Sequence, residues 1–458
     1  MKEKIILIGA GSAMFTRGLV ADIIRKGWEG EIALVDIDPQ ALDVAERLTR
    51  KMISVKGAPI KVRAATERRD VLDGATAVIC TVGVGGRRAW EQDVFVPRKY
   101  GIYQPVGDSV MPGGTSRALR MIPAMVDIAG DVLDLAPESL FFNYSNPMGP
   151  VCRAVRKATG ANMVGLCHGV FHVAKYLAGV LGVEPGRLKY TAIGMNHLTW
   201  FIELRADGQD AMPRLRSIAC EKLGRQIDKE MLGTSFAEAG TMGRDDPVKD
   251  VKDPFTWQLF ELFGAFPAVM DRHITEFFPH MFAKKGSYYG KTLGVDAYSF
   301  EATIAHGDQI FEKMRSDALS ADVLGEEYFK SITGEHEQVT DIIGCIRQDT
   351  GGVYSVNLPN KGQIPNLPED AIVECPGIAD GSGLRHVGQP PMDAGIAGTL
   401  ATRFQWVETV VEAALEGSRD KFVQALLIDG AVKSVSMATR LADELLSVHV
   451  RFLPQFII

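Results

Sequence analysis

The chain has 458 residues, 46% of them hydrophobic and 23% charged, with a formal net charge of −7 at pH 7. That length predicts two interlocked domains, and the missing basic surplus excludes a protein held to nucleic acid through phosphate contacts. The cysteines at Cys80, Cys152, Cys167, Cys220, Cys345 and Cys375 have no motif spacing. This argues against a disulfide framework and for reduced thiols in the cytoplasm, while no apolar run is long enough to span a bilayer or to act as a signal peptide.

Lys4 to Ile8 is a short apolar run, read as a buried parallel strand. The turn Gly9-Ala10-Gly11-Ser12 follows, then helical spacing from Thr16 to Lys26, then a second strand from Glu31 to Ile37 with Asp36 near its end. Strand, glycine turn, helix, strand and terminal acid form the first unit of a dinucleotide-binding fold. The glycines admit the pyrophosphate to backbone N–H groups, and the acid binds ribose hydroxyls. The third glycine of the usual fingerprint is replaced by Met14. The expected cofactor contacts are Gly9, Gly11, Ser12 and Asp36, joined by Gly83 and Asn146 at the ends of later strands.

The alternation continues through a strand at Thr76 to Val82, a helix at Arg117 to Leu135 and a strand at Leu140 to Tyr144. Such order calls for a Rossmann-type parallel sheet of the lactate and malate dehydrogenase kind, with ligands at the carboxyl ends of its strands. Gly101 to Gly114 is too rich in glycine and proline for a core element and reads as a loop carrying one acid, Asp108. The dinucleotide domain is expected to span 1–190. A C-terminal mixed α+β domain with antiparallel strands and helices is expected at 191–458, because Leu188 to Arg205 alternates and Gly395 to His449 has helical spacing. Arg216 to Asp250 is polar and reads as a flap.

Cys167 and His197 each end an apolar run, so both can point into one crevice and hold a divalent metal. Asp271, Arg272, His273 and Glu276 are packed among Phe266, Phe277 and Phe278.

Four stretches taken together resemble glycoside hydrolase family 4: GAGS with Asp36, NYSNP around Asn146, CHG at Cys167 and GMNHLTW at His197. The resemblance extends over nearly the whole chain and is closest to the family's α-galacturonidase branch. It implies a glycosidase that uses NAD and a metal, usually Mn2+. The sugar is oxidised at C3, a base removes the proton at C2, the aglycone leaves, water adds and the ketone is reduced again. On this resemblance Cys167 and His197 are the metal ligands, His168 is a candidate acid for the leaving oxygen, and Asp271 a candidate base. Asp108, Asn146, Arg117 and Arg272 are the expected substrate contacts, since arginine forks suit a carboxylate. The substrate is then an α-linked uronide or another non-phosphorylated hexoside, and a sulfoquinovoside would be met by similar groups. The rival reading is an NAD-dependent hydroxy-acid or sugar dehydrogenase with net redox turnover. A homodimer or homotetramer is expected, with no nucleic acid and no membrane as partner.

Overall fold

The computed structural model describes residues 1–224, 252–281, 287–288, 291–292, 299–332 and 337–456. Most of the polar segment read as a flap lies outside the described residues.

The first strands are β1 (Lys2–Ile8), β2 (Glu29–Val35), β3 (Ile60–Ala65), β4 (Ala77–Cys80), β5 (Leu140–Asn143) and β6 (Met163–Gly165). They pair in parallel in the order β3-β2-β1-β4-β5-β6. That is the doubly wound order whose switch point, between β1 and β4, opens a crevice at the carboxyl ends. Their continuous apolar runs have a simple cause: both faces are covered. Ile6, Ile8, Ala33, Val35, Val78 and Phe141 pack into one core with the helices Met111–Leu135, Met148–Thr159 and Ala394–Glu416. The alternate residues Ile5, Leu7, Ile32, Leu34, Ile79 and Phe142 pack into another with Thr16–Arg25, Pro39–Lys56 and Glu337–Gln348. Each of these side chains except Ala33 contributes about 1.5–3 kcal/mol on full burial. The Pro39–Lys56 helix shows why the local sequence folds as it does. Asp38 caps it by accepting from Gln40 N at 2.9 Å, Pro39 opens it, and Gly57 closes it in the left-handed region.

The sheet then continues with antiparallel strands: β7 (Leu188–Met195), β8 (Leu198–Ala206), β9 (Gln209–Asp210) and β10 (Phe266–Pro267). After a separate ribbon of β11 (Ser287–Tyr288) and β12 (Lys291–Thr292) come β13 (Gly352–Pro359), β14 (Ile372–Asp380) and β15 (Gly383–His386). β13 pairs with β6 on one side and β14 on the other, and β14 pairs with β7, so one 13-stranded sheet runs through both halves. The fold is thus a Rossmann-type parallel sheet extended by the mixed C-terminal part. Among the described residues no helix is long and apolar enough to cross a membrane.

One expectation needs correcting. The helix expected from Arg117 begins earlier, at Met111, and takes in the last residues of the glycine-rich stretch. Gly113 and Gly114 are there because the preceding loop packs directly on this helical turn: a Cβ on Gly114 would lie 2.4 Å from the Ser109 carbonyl carbon. These glycines serve close packing, which local propensity cannot reveal.

Candidate active site

At the end of β1, Gly9 has φ +88°, and a Cβ there would meet the Thr81 carbonyl at 2.8 Å. Gly11 donates its N–H to Asp36 Oδ2 at 2.8 Å, and a Cβ on Gly11 would collide with that same oxygen. The second Asp36 oxygen accepts from Asp38 N at 3.0 Å. The turn and the acid therefore form one bare backbone cradle at the switch point, which fits a dinucleotide's pyrophosphate and ribose. Ser12 donates its N–H to Gly9 O at 3.0 Å and helps close the turn.

From β4 and β5 a continuous path leads across the crevice. Arg117 faces the backbone at Gly83, the space above which a Cβ would bring within 3.6 Å of its guanidinium. Arg117 Nε donates to Asn146 O at 3.0 Å, and Asn146 Nδ2 donates to Asp108 Oδ2 at 3.0 Å. Ser109 Oγ donates to Asp108 Oδ1 at 2.9 Å and lies 2.8 Å from His197 Nδ1. A serine hydroxyl has one hydrogen, and Asp108 takes it. His197 Nδ1–H must therefore donate to Ser109, which leaves the Nε2 lone pair free, the tautomer a metal ligand needs.

His197 itself sits in the tight connection between β7 and β8 with φ +63°. Such a conformation costs on the order of 1–3 kcal/mol for a non-glycine residue and persists only where its surroundings hold it. Asp108, His197 and His273 each offer a ligand atom, and these all lie within 4.8 Å of one another. The His197 and His273 rings stand 4.6 Å apart. His273 Nδ1 is buried with no hydrogen-bond partner, the state of a nitrogen left waiting for a ligand. This donor set of carboxylate and imidazoles suits a first-row divalent metal.

The electrostatics agree. Burial holds His197 below its ordinary value, against the pull of Asp108. Burial, with His197 beside it, takes His273 down to about 3. Both are neutral imidazoles at neutral pH. Burial works against ionisation of Asp108, but His197, His273, Arg117 and the Asn146 amide outweigh it and keep its carboxyl below the usual range.

The expected site residues fall into place unevenly. His197 and Asp108 stand in the cluster, and Asn146 and Arg117 on the path to it. Cys167 is buried at the end of β6, accepts from Gly169 N at 3.4 Å and is not a member of the Asp108–His197–His273 group. His168 is 4.8 Å from the His172 ring and is brought down to about 3 by burial and by His172 and His197. It is therefore a neutral imidazole here and not a group poised to titrate near pH 7.

Asp271, the expected base, is held at the start of the Pro254–Phe263 helix. It is fully buried, and its carboxylate accepts from Thr256 N at 2.7 Å, Thr256 Oγ1 at 2.6 Å and Phe255 N at 3.1 Å. It caps the Pro254–Phe263 helix from a distance, because Asp253, at the usual capping position, makes no side-chain cap. Arg272 instead borders the cluster, bonded to Thr303 through one nitrogen while its Nε is buried without a partner. The sequence alone singles out neither His273 as a candidate ligand nor Ser109 as the group that orients His197. Glu276, which accepts from Val106 N at 2.9 Å and Gly107 N at 2.8 Å, anchors the loop that carries both Asp108 and Ser109.

A glycine cradle with a ribose-side acid, and a polar path from Arg117 beside Gly83 to a three-donor cluster, define a Rossmann-fold enzyme with a candidate metal centre. Residues 4–183 match the model of the family 4 glycosyl hydrolases, and residues 192–432 match that family's C-terminal domain. An α-glucosidase of Erwinia rhapontici is 33% identical over 98% of this chain and 98% of its own length. An α-galacturonidase of Bacillus subtilis (strain 168) is 30% identical over 94% of this chain and 93% of its own. The crystal structure of a Bacillus subtilis protein assigned as a glucosidase, 27% identical, superposes with a TM-score of 0.79 over 97% of this chain and all of that one. A Thermotoga maritima 6-phospho-β-glucosidase, solved with manganese, NAD+ and glucose 6-phosphate, shares the fold at 19% identity, with a TM-score of 0.76 over 98% of this chain and 99% of that one. The chain belongs to family 4 of the glycosyl hydrolases and is a glycoside hydrolase.

Proposed function

We propose that this enzyme hydrolyses an α-linked, non-phosphorylated hexoside, with a uronide as the preferred class, by oxidation at C3, loss of the C2 proton with the aglycone, addition of water and reduction at C3. The observation that carries this reading is the polar path from Arg117, beside Gly83 at the strand end next to the dinucleotide cradle, through Asn146, Asp108 and Ser109 to His197 in the metal cluster. Bound NAD+ would supply a hydride acceptor and donor, and a bound divalent metal such as Mn2+ would supply positive charge beside the sugar oxygens.

The chain's own residues set up that chemistry. Gly9 and Gly11 give the cofactor's phosphates access to the backbone, and Asp36 faces its ribose. His197, through Nε2, would hold the metal together with Asp108, His273 and Cys167, and Asn146 and Asp108 would hold sugar hydroxyls beside it. The neutral His168 imidazole offers a hydrogen bond beside the leaving oxygen. No ion pair closer than 4 Å neutralises Arg117 among the described residues, and burial depresses its pKa. A guanidinium held at that cost favours an anionic substrate, as does the unpartnered Nε of Arg272. Three relatives at 30–33% identity are named an α-glucosidase, an α-galactosidase and an α-galacturonidase, in keeping with an α-linkage.

The test is turnover of nitrophenyl α-glycosides in heavy water with NAD+ and Mn2+. The released sugar should carry deuterium at C2, no NADH should accumulate, and the α-galacturonide should be turned over faster than the α-glucoside. Undeuterated product from an enzyme indifferent to NAD+ would overturn the mechanism, and a preference for the neutral glycoside would overturn the substrate class.

A further inference from the structure

Two residues before Cys167 and two residues on either side of the Asn196-His197 connection, the sheet is crossed by a single rung. Gly165 on β6 faces Asn357 on β13, Asn357 faces Glu374 on β14, Glu374 faces Gly194 on β7, and Gly194 faces Thr199 on β8. Residues of one rung put their side chains on the same face of a sheet. The polar side chains of Asn357, Glu374 and Thr199 therefore share a layer, and the two glycines leave it open. A Cβ on Gly165 would meet the Asn357 Cβ at 2.9 Å, and one on Gly194 would meet the Leu198 carbonyl oxygen at 2.4 Å. Glu374 is 1% exposed and Asn357 and Thr199 not at all, so this is a polar layer inside the protein.

Its hydrogens can be placed by counting. Asn357 Nδ2 has two, and it donates to Gly165 O at 3.3 Å and Glu374 Oε1 at 3.4 Å. Thr199 Oγ1 has one, yet it lies 2.8 Å from Met195 O and 2.5 Å from Glu374 Oε2. Two acceptors cannot share that single hydrogen at such distances, and a carbonyl has none to give. The missing hydrogen sits on Glu374, which donates to Thr199, which donates to Met195 across the base of the His197 connection. Burial pushes the Glu374 carboxyl up to about 7, with Thr199, Asn357 and Asn196 pulling the other way, which is consistent with a carboxyl that keeps its proton below neutral pH.

We propose that Glu374, acting as a hydrogen-bond donor, is a positioning residue that fixes the spacing between the strand end bearing Cys167 and the hairpin bearing His197. Its reach in one direction is the strained His197 conformation, through Thr199 and Met195. In the other it is the Gly165 carbonyl, through Asn357. The inference rests on the metal reading of the site for its functional consequence, and on the rung alone for its structural one.

The experiment compares Glu374→Gln, Glu374→Ala and Thr199→Val with the unmutated full-length enzyme, measuring calorimetric affinity for Mn2+, affinity for NAD+, and amide hydrogen exchange in metal-free protein. An amide donates where the protonated carboxyl does, so Glu374→Gln should keep the Mn2+ affinity. Glu374→Ala and Thr199→Val should weaken it about 10–100-fold, the usual effect of removing a ligand's orienting partner. NAD+ affinity should not move, and exchange should speed up in the segment spanning residues 194–199. The proposal is overturned if Glu374→Gln fails together with Glu374→Ala, or if Thr199→Val leaves both exchange and Mn2+ affinity unchanged. Should the unmutated enzyme take up no Mn2+, the metal reading falls, and the exchange measurement alone decides the role of Glu374.

Discussion

Ser109 Oγ lies 2.8 Å from His197 Nδ1 while giving its own hydrogen to Asp108, so the serine dictates which nitrogen of the histidine is left bare. A ligand histidine whose second nitrogen is untethered loses both its tautomer and its ring orientation. Ser109→Ala should therefore weaken Mn2+ binding by about tenfold, with NAD+ affinity unchanged. Calorimetric titration of each ligand separates the two, and an unchanged Mn2+ affinity would remove the serine from the site.

Asp271 was the sequence's best candidate base, and its geometry assigns it to the Pro254–Phe263 helix. Loss of a cap costs about 0.5–2 kcal/mol, with more added when buried amides are left unpaired. Asp271→Asn should lower the thermal midpoint, because one amide oxygen cannot replace two carboxylate oxygens, yet C2 deuterium exchange should persist in the folded variant. A folded, cofactor-binding variant that has lost the exchange would restore Asp271 as the base.

The different surroundings of Asp271 and His273 follow from helix phase. Asp271 and His273 share the short helix Asp271–Ile274, two residues apart. At about 100° per residue they point to nearly opposite sides, so one reaches the cluster and the other turns away to the neighbouring helix. The sequence shows both residues among aromatics but not the rotation. The dinucleotide half was legible because its signals are local: apolar runs, a glycine turn, and Asp36 at the end of the next strand. Ser109 was visible only as part of a loop, because its partner His197 is 88 positions away along the chain, and Asp108 entered as a site residue only through the family resemblance. Glu374 carried no signal at all, since its meaning comes from a register across β13, β14 and β7 that no single segment encodes.

Asp36 supplies a separable test of the cofactor. Its carboxylate stands against Gly11 N, at the place where a dinucleotide's ribose would approach the cradle. A fixed negative charge there opposes a 2′-phosphate. NAD+ should bind in strong preference to NADP+, and Asp36→Ser should narrow that preference while weakening NAD+. Fluorescence titration of both nucleotides gives the ratio, and equal affinities in the unmutated enzyme would take Asp36 out of cofactor selection.

The raised carboxyl of Glu374 makes stability itself a readout. Its ordinary value is 4.5 and its value in the folded chain about 7. Below 4.5 the carboxyl is protonated in both states, and its stabilising contribution is complete. Between 4.5 and 7 the unfolded chain releases a proton that the folded chain keeps, so stability from this group falls as pH rises, and above 7 the loss is complete. The slope inside the window is about 1.4 kcal/mol per pH unit for one group. Glu374→Gln cannot titrate and keeps the same donor toward Thr199, so it should gain stability relative to the unmutated enzyme as pH goes from 5 to 7. Urea denaturation in metal-free buffer at several pH values measures the difference. Parallel pH profiles for the two proteins would mean that Glu374 is ionised in the fold, and the hydrogen placed between it and Thr199 would have to be withdrawn.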